Sequence, residues 1–292
     1  MQRYLDPTND SLFKKIFRDL ERLKEFINAV LELPEGFRIK EIEFIPVEQV
    51  PIIDKGKKSI FDLKVKDEAG SWYIIEMQKR NESDYLKRVQ YYSAHSYVQQ
   101  LTKGIKHKDL LPVIVISLIK TKMFDDEVPC ISLHKMLETK TNKQYLFDFS
   151  YVFIELKKFD KDKFDSTIDE WLHLFKCAEN ETSPPANIKS EKVLDAYNVI
   201  EMHNLTPEEY DAYIRAKLME DAEEIALEEK FEKGKAEGKA EGKVEGKVEG
   251  KAELIQMMLK QGKTVQQIIE FTGLSKEEIE QLKAKIENSK AS

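Results

Sequence analysis

The segment 59-SIFDLKVKDEAGSWYIIEMQK-79 decides the fold. It holds two apolar runs with polar residues at alternate positions, separated by the turn-forming sequence Glu68-Ala69-Gly70. This pattern predicts an antiparallel hairpin of two strands, 58–67 and 72–79. Asp62 and Glu76 are equally far from the centre of the turn, so a symmetric hairpin register brings their carboxylates near each other.

The flanking sequence predicts the rest of an α/β domain. Apolar residues at helical spacing predict helices over 9–31, capped by Asn9 or Asp10, and over 83–103. Further strands are predicted at 39–53, 111–119 and 151–156. The order helix, three strands, helix, strand predicts a mixed sheet with flanking helices.

The 292-residue chain is too long for one typical core, so we expect additional segments after the α/β domain. The sequence TSPP at 182–185 has the composition of a linker, and the residues around it are acidic. The predicted organisation is an α/β domain at 1–175, an acidic helical neck at 176–232, a repeat helix at 233–253 and a helical hairpin at 254–292.

The net charge of −7 is unevenly distributed. Residues 1–175 carry 29 basic and 29 acidic side chains, residues 176–232 carry 6 and 15, and residues 233–292 carry 12 and 10. The acidity therefore lies outside the α/β domain, which weakens a nucleic-acid function without excluding one.

Several function classes are disfavoured. The first ten residues have no apolar segment typical of a secretory signal, and the longest apolar run, about ten residues, is too short to cross a membrane. Cys130 and Cys177 form neither a disulfide framework nor a zinc motif. We therefore expect a cytoplasmic protein with no membrane partner.

The tail contains five four-residue units, GKAE GKAE GKVE GKVE GKAE, from Gly234 to Glu253. In a helix, a period of four aligns the glycines in one slowly winding stripe, which permits close approach of a second helix. Five glycines also weaken an isolated helix, by about 1 kcal/mol each relative to alanine. The repeat and the apolar segment after it predict a homo-oligomer, and a flexible charged linker is the alternative. The terminal hairpin resembles a helix-turn-helix only loosely.

Asp62 and Glu76 form the candidate chemical site. Two converging carboxylates repel each other and require a cation, and oxygen ligands without His or Cys favour Mg²⁺ or Mn²⁺. Such an ion activates water and neutralises charge on a phosphodiester. The alternative is that both side chains lie on the solvent face of an ordinary hairpin.

A resemblance to a known family favours the metal site over the solvent-exposed hairpin. The segment 6-DPTNDSLFKKIF-17 resembles the opening signature of the Rpn family of recombination-promoting nucleases, also called PD-(D/E)XK nuclease family putative transposases. Later motifs also match: Phe61-Asp62, 75-IEMQ-78, 88-RVQYYS-93 and 100-QLTKG-104. The resemblance covers roughly residues 5–160, and the repetitive tail is also typical of the family.

The resemblance implies a DNA endonuclease that requires a divalent metal, most simply Mg²⁺, with Mn²⁺ or Ca²⁺ as alternatives. The implied metal ligands are Asp62, Glu76 and the backbone carbonyl of Met77. Gln78 stands where the wider superfamily has a catalytic lysine. Glutamine brings no positive charge, so we expect Lys64 to supply it; the alternative is that Lys64 is a surface lysine.

Other expected site residues lie on the two predicted helices and beside the strands. Asp10 is a candidate acidic residue from the first helix, or a helix cap. Arg88 and Tyr92, four residues apart on the second helix, are expected to face the site, with Arg88 pairing with phosphate; the alternative is a salt-bridging arginine and a packed tyrosine. A basic rim for the DNA backbone is expected from Lys55, Lys57, Lys58, Lys79, Arg80 and Lys87. A non-catalytic DNA- or partner-binding protein on a nuclease fold, or a transposase, is the alternative function.

Overall fold

The computed structural model describes residues 2–49, 59–60, 62–80, 82–101, 104–160 and 163–289. Its centre is a mixed six-stranded sheet in the order β1-β4-β5-β6-β8-β7. The strands of this sheet are β1 Ile42–Phe44, β4 Leu63–Asp67, β5 Trp72–Gln78, β6 Val113–Ile119, β7 Ile131–Lys135 and β8 Phe149–Glu155. The predicted α/β fold with a mixed sheet is confirmed.

The predicted hairpin forms the middle of this sheet. Strands β4 and β5 are antiparallel, with Leu63 opposite Ile75 and Lys64 opposite Ile74. Strands β5, β6 and β8 are parallel, and their last residues Gln78, Ile119 and Glu155 are aligned. The carboxyl ends of three neighbouring strands therefore share one edge of the sheet.

Helices cover both faces of the sheet, which explains the apolar run in β6. The larger core lies on one face and contains residues of α1, α2, α4 and α5. On the other face, Tyr85 and Val89 of α3 pack against alternate strand residues such as Ile74 and Val115. These helices are α1 Asp10–Phe17, α2 Leu20–Val30, α3 Tyr85–Gln99, α4 Thr167–Cys177 and α5 Glu191–Ile200.

The single helix predicted over 9–31 is wrong, because the structure has two helices there. Helix α1 ends at Phe17, and α2 begins after Asp19, whose carboxylate accepts a hydrogen bond from the Arg22 backbone N–H at 2.9 Å. This new cap restarts the helix while the apolar spacing continues, so periodicity alone did not show the break. Arg22 lies beneath the junction and donates to the Ile16 carbonyl.

The long first strand predicted at 39–53 is also wrong. Its described part contains β1 and the separate short strand β2 Glu48–Gln49, with Pro46 between them. Strand β2 pairs with β3 Ser59–Ile60 in a second, two-stranded sheet. Residues 50–58 lie outside the described residues.

The chain divides into two compact units, 1–218 and 219–292. The boundary predicted at residue 175 falls inside α4, and α5 beyond it contributes Val193 and Tyr197 to the main core. The predicted neck therefore begins with residues that are part of the α/β unit, because their apolar side chains are buried against α1 and α2.

The second unit is helical. Helix α6 Pro207–Lys260 includes the whole repeat, and α7 Val265–Thr272 and α8 Lys276–Ser289 follow it. A small core joins these helices, formed by Ile255, Met258, Ile268, Leu274 and Ile279. Helix α8 begins with a capping box, since Ser275 and Glu278 exchange two backbone-to-side-chain hydrogen bonds. Among the described residues, we find no helix with the length and apolar character needed to cross a membrane.

Candidate active site

The hairpin brings Asp62 and Glu76 together at the carboxyl end of β5. Asp62 directly precedes β4, and the pairing of Leu63 with Ile75 places Asp62 beside Glu76. One oxygen of Asp62, Oδ2, accepts a hydrogen bond from the Met77 backbone N–H at 2.8 Å. The two carboxylates therefore converge on one point of the sheet edge, as the turn geometry predicts.

The protonation of both acids is perturbed. Burial raises the pKa of Glu76 well above its usual range, and the neighbouring Asp62 charge raises it further. Burial also raises the pKa of Asp62, against the opposing effects of the Met77 N–H and Lys14. The Glu76 Oε1 atom is buried and has no hydrogen-bond partner among the residues that the structure describes. An unsatisfied buried carboxylate oxygen beside a second acid is an environment that a bound cation would stabilise.

The donor set suits a hard divalent cation. It comprises two carboxylates and main-chain carbonyls, with no sulfur or imidazole ligand. Within the described part of the chain, no group of three or more His, Cys, Asp or Glu side chains lies close enough to hold a metal ion. A site formed here would therefore need the Met77 carbonyl or water as well as the two carboxylates.

Helix α1 adds Asp10 and Lys14 to this site. Asn9, not Asp10, caps the helix, because its side chain accepts from the Ser11 backbone N–H. The Lys14 ammonium lies 2.6 Å from Asp10 Oδ1 and 3.7 Å from Asp62 Oδ1. Lys14 was not among the residues expected from sequence. Its position four residues after Asp10 is the signal that could have identified it.

Gln78 is buried, and protein groups hold both ends of its amide. Its Nε2 donates to the Arg80 carbonyl at 2.6 Å and to Glu82 Oε1 at 3.2 Å. Its Oε1 accepts a hydrogen bond from Arg88 Nη2 at 2.9 Å. The amide therefore has a fixed orientation that aims its oxygen at the guanidinium of Arg88.

Arg88 places a positive charge beside the acids. It forms an ion pair with Glu82 and lies over the ring of Tyr85. Burial disfavours its charge, but the hydrogen bond and the charge of Glu82, together with the nearby Tyr92 and Tyr85, outweigh this and raise the pKa of Arg88. The Arg88 charge in turn opposes the raised pKa of Glu76. Tyr92, one turn further along α3, is half-buried, and burial raises its pKa.

Lys64 is not brought to the carboxylates. It lies opposite Ile74, and its ammonium is 4.2 Å from the centre of the Trp72 ring, at the far end of β5 from Glu76. Burial lowers the pKa of Lys64 to about 8. The expectation that Lys64 is a surface lysine is also wrong, because only 2% of it is exposed.

The expected basic rim is only partly described. The Lys79 ammonium lies 3.5 Å from Asp6 Oδ2, and the Arg80 carbonyl accepts the bond from Gln78. Lys87 is exposed on α3. Lys55, Lys57 and Lys58 lie outside the described residues. The described residues therefore place Lys79 and Arg80 next to Gln78 but do not show a continuous rim.

Comparison with known proteins agrees with this geometry. The family model described as PD-(D/E)XK nuclease family transposase matches residues 7–229, well over half of the chain. No curated protein and no solved structure matches the chain at a significant level. The match indicates a nuclease- or transposase-like function and an interaction with DNA. The sequence match, the mixed sheet and the paired acids at the sheet edge all agree. The chain belongs to the PD-(D/E)XK nuclease family transposases.

Proposed function

We propose that the protein is a divalent-metal-dependent endonuclease that hydrolyses phosphodiester bonds in DNA. The observation that carries this proposal is the proximity of Asp62 to Glu76, whose buried Oε1 has no hydrogen-bond partner in the described part of the chain. A structural role does not explain an acid kept in such an environment, because an unsatisfied buried polar group costs about 1–3 kcal/mol. A role in binding a cation explains why Glu76 is kept there.

The proposed ligands are the carboxylates of Asp62 and Glu76 and the carbonyl of Met77. Mg²⁺ is the expected ion, with Mn²⁺ and Ca²⁺ as alternatives; when bound, it would activate water and neutralise charge on the phosphate. The Met77 N–H holds Asp62 in place through a 2.8 Å hydrogen bond. Asp10 lies beside Asp62, whose pKa it raises, and also pairs with the Lys14 ammonium.

Gln78 acts as a positioning residue in this proposal. Both ends of its amide are occupied, so it holds Arg88 beside the site instead of replacing the superfamily lysine. The positive charge that glutamine lacks comes from Arg88 and from Lys14. A guanidinium held in this way can pair with a phosphate oxygen of the substrate. Tyr92, on the same helix, is proposed to contact DNA beside it.

The tail is proposed to assemble the protein into a homo-oligomer. Large apolar side chains of α6 are exposed, among them Leu227, Phe231 and Val244. The repeat glycines of α6 also leave open space around their Cα atoms. A lone helix with five glycines and this exposed surface is poorly stabilised, and a second copy of the helix would cover it.

A plasmid-nicking assay with purified protein tests the proposed activity. Supercoiled DNA should be converted to the nicked form with Mg²⁺ or Mn²⁺ and left intact with EDTA. Ca²⁺ takes the same oxygen ligands in a larger and more flexible geometry; DNA binding with little cleavage in Ca²⁺ would show that the site accepts it but that the chemistry prefers the smaller ions. DNA binding without cleavage under every metal condition would favour the non-catalytic alternative, and strand transfer between two DNAs would favour a transposase.

The origin of the positive charge can be tested with two matched variants. We expect Lys14→Gln to lower kcat about 10- to 100-fold, the range found when groups that orient metal ligands are removed. Lys64→Gln should leave kcat within about 3-fold of wild type, because its ammonium lies over Trp72. If Lys64→Gln lowers kcat more than Lys14→Gln does, Lys64 is the lysine that acts in catalysis.

A further inference from the structure

A second polar site lies at the same edge of the sheet as the candidate active site. It is a cavity of about 200 Å³ whose walls include three lysines: Lys120, Lys157 and Lys176. Two carboxylates, Asp6 and Glu179, also line it, together with apolar atoms of Leu156 and Phe175. The roles assigned to the acids at the end of β5 do not use this cavity.

The parallel strands fix where this cavity lies. Gln78, Ile119 and Glu155 are aligned at the ends of β5, β6 and β8. Lys120 directly follows β6, and Lys157 lies in the 3₁₀ turn Leu156–Lys158 directly after β8. Neighbouring strands are about 4.8 Å apart, so β8 is about 10 Å from β5 along this edge.

Asp6 links the cavity to the candidate active site. Its carboxylate lies 3.0 Å from the Lys120 ammonium and 3.5 Å from that of Lys79, the residue after Gln78. Burial alone would raise the pKa of Asp6, but Lys79, Lys120 and the Thr8 hydrogen bonds hold it below its usual range. One carboxylate thus orients two lysines and leaves the pair with net positive charge.

Lys157 and Lys158 have different roles although they are neighbours. Lys158 is engaged in structure, since its ammonium donates to the Asp125 and Val128 carbonyls and pairs with Glu155. Lys157 is exposed at the cavity, and no ion pair with another described residue holds its ammonium. Its charge is therefore available to a ligand.

We propose that the cavity lined by Lys120, Lys157 and Lys176 binds a backbone phosphate of the DNA close to the phosphate that is cleaved. The three lysine charges outnumber the two carboxylates that line the cavity. Asp6 holds Lys120 and the Phe159 carbonyl holds Lys176, so Lys157 is the lysine proposed to contact the phosphate, as a point charge. The roughly 10 Å between β5 and β8 is short enough for one DNA strand to reach both the acids and the cavity. This inference rests on the proposed nuclease function. It assigns to the protein a contact with the DNA backbone that does not depend on base sequence.

The test compares Lys157→Gln with Lys143→Gln in the full chain. Lys143 is also an exposed lysine, but it precedes β8, at the opposite end of the strand. Binding to a short DNA duplex is measured in Ca²⁺ at several salt concentrations. Lys157→Gln should reduce the slope of log affinity against log salt by about 0.9, the value for one lost phosphate contact, and Lys143→Gln should leave it unchanged.

A second arm locates the contact. Each phosphate near the mapped cut is replaced in turn by a neutral methylphosphonate. Wild type should lose affinity when one particular phosphate close to the cut is neutralised, and Lys157→Gln should be insensitive to the change at that position. Equal salt slopes for Lys157→Gln and wild type would overturn the proposal while leaving the nuclease intact.

Two further outcomes separate the possible sources of the phosphate. If Lys157→Gln binds DNA normally but loses affinity for inorganic phosphate, the cavity takes a free anion, and the DNA role is wrong. If wild type binds no DNA at all, the proposed function fails and the DNA contact fails with it.

Discussion

Replacing Glu76 with glutamine should lower DNA cleavage by about 10³-fold and should make the metal-free protein more stable at neutral pH. The loss of activity follows because the amide cannot supply the negative charge that binds the cation, and a metal contributes several kcal/mol to such a transition state. Asp62→Asn should cause a loss of similar size. The nicking assay with Mg²⁺ measures both.

The gain in stability follows from the raised pKa of Glu76. The folded protein binds this proton more tightly than the unfolded chain does, so its stability falls as pH rises from the unfolded pKa of a glutamate, about 4.3, towards the higher folded pKa. The amide of the Glu76→Gln variant is neutral at every pH, so the variant escapes this loss. The difference in the free energy of unfolding between variant and wild type should therefore be small at about pH 4 and larger at about pH 8, both measured in EDTA.

Metal addition supplies the matching control. A cation that binds only the folded state at about 100 times its Kd stabilises it by about 2.7 kcal/mol. Mn²⁺ or Mg²⁺ should therefore raise the Tm of wild type and of Lys143→Gln, but not that of Glu76→Gln. A metal-dependent Tm shift that survives in both Glu76→Gln and Asp62→Asn would place the cation elsewhere, whatever the activity of these variants.

A chain ending at Lys230 should lose self-association, keep its nicking activity and lose concerted double-strand cleavage. The family match ends at residue 229 and the first compact unit at residue 218, so the proposed active site is retained. One active site cuts one strand at a time, and pairing two copies through the tail would favour cleavage of both strands. Light scattering gives the oligomeric state, and the ratio of linear to nicked plasmid gives the mode of cutting.

Alanine at Gly238, Gly242 and Gly246 gives a control that keeps the tail. A Cβ at each position meets no atom within 4 Å in the single chain. Each substitution should strengthen an isolated helix by about 1 kcal/mol. If the glycines form the contact between copies, association should nevertheless weaken. If the truncated and full-length proteins are both monomers, the assembly proposal is wrong.

The sequence by itself determined the elements that depend on local pattern. The alternation around Asp62 and Glu76 and the turn at Gly70 predicted the hairpin register that the structure has. The continuous apolar run 111–119 predicted a strand covered on both faces, and the structure has β6 at Val113–Ile119. These patterns are readable because side-chain direction in a strand has a period of two, whatever the rest of the fold does.

The spacing of apolar residues did not predict features that depend on where a single polar side chain ends. The break between α1 and α2 depends on a cap at Asp19, and the apolar spacing continues across it. The role expected for Lys64 depended on where a long, flexible side chain would end. Packing over Trp72 decided that question, since a shared face of the sheet does not fix the position of an ammonium at the end of a flexible stem.

Only the tertiary structure decided which charges surround the paired acids. Lys14 reaches Asp62 from α1, Arg88 reaches Gln78 from α3, and Asp6 joins the residues after β5 and β6. These partners are separated by 10 to 114 positions in the chain. Their proximity arises when helices pack on opposite faces of the sheet, and no sequence pattern with the period of a strand or a helix encodes a distance between separate elements.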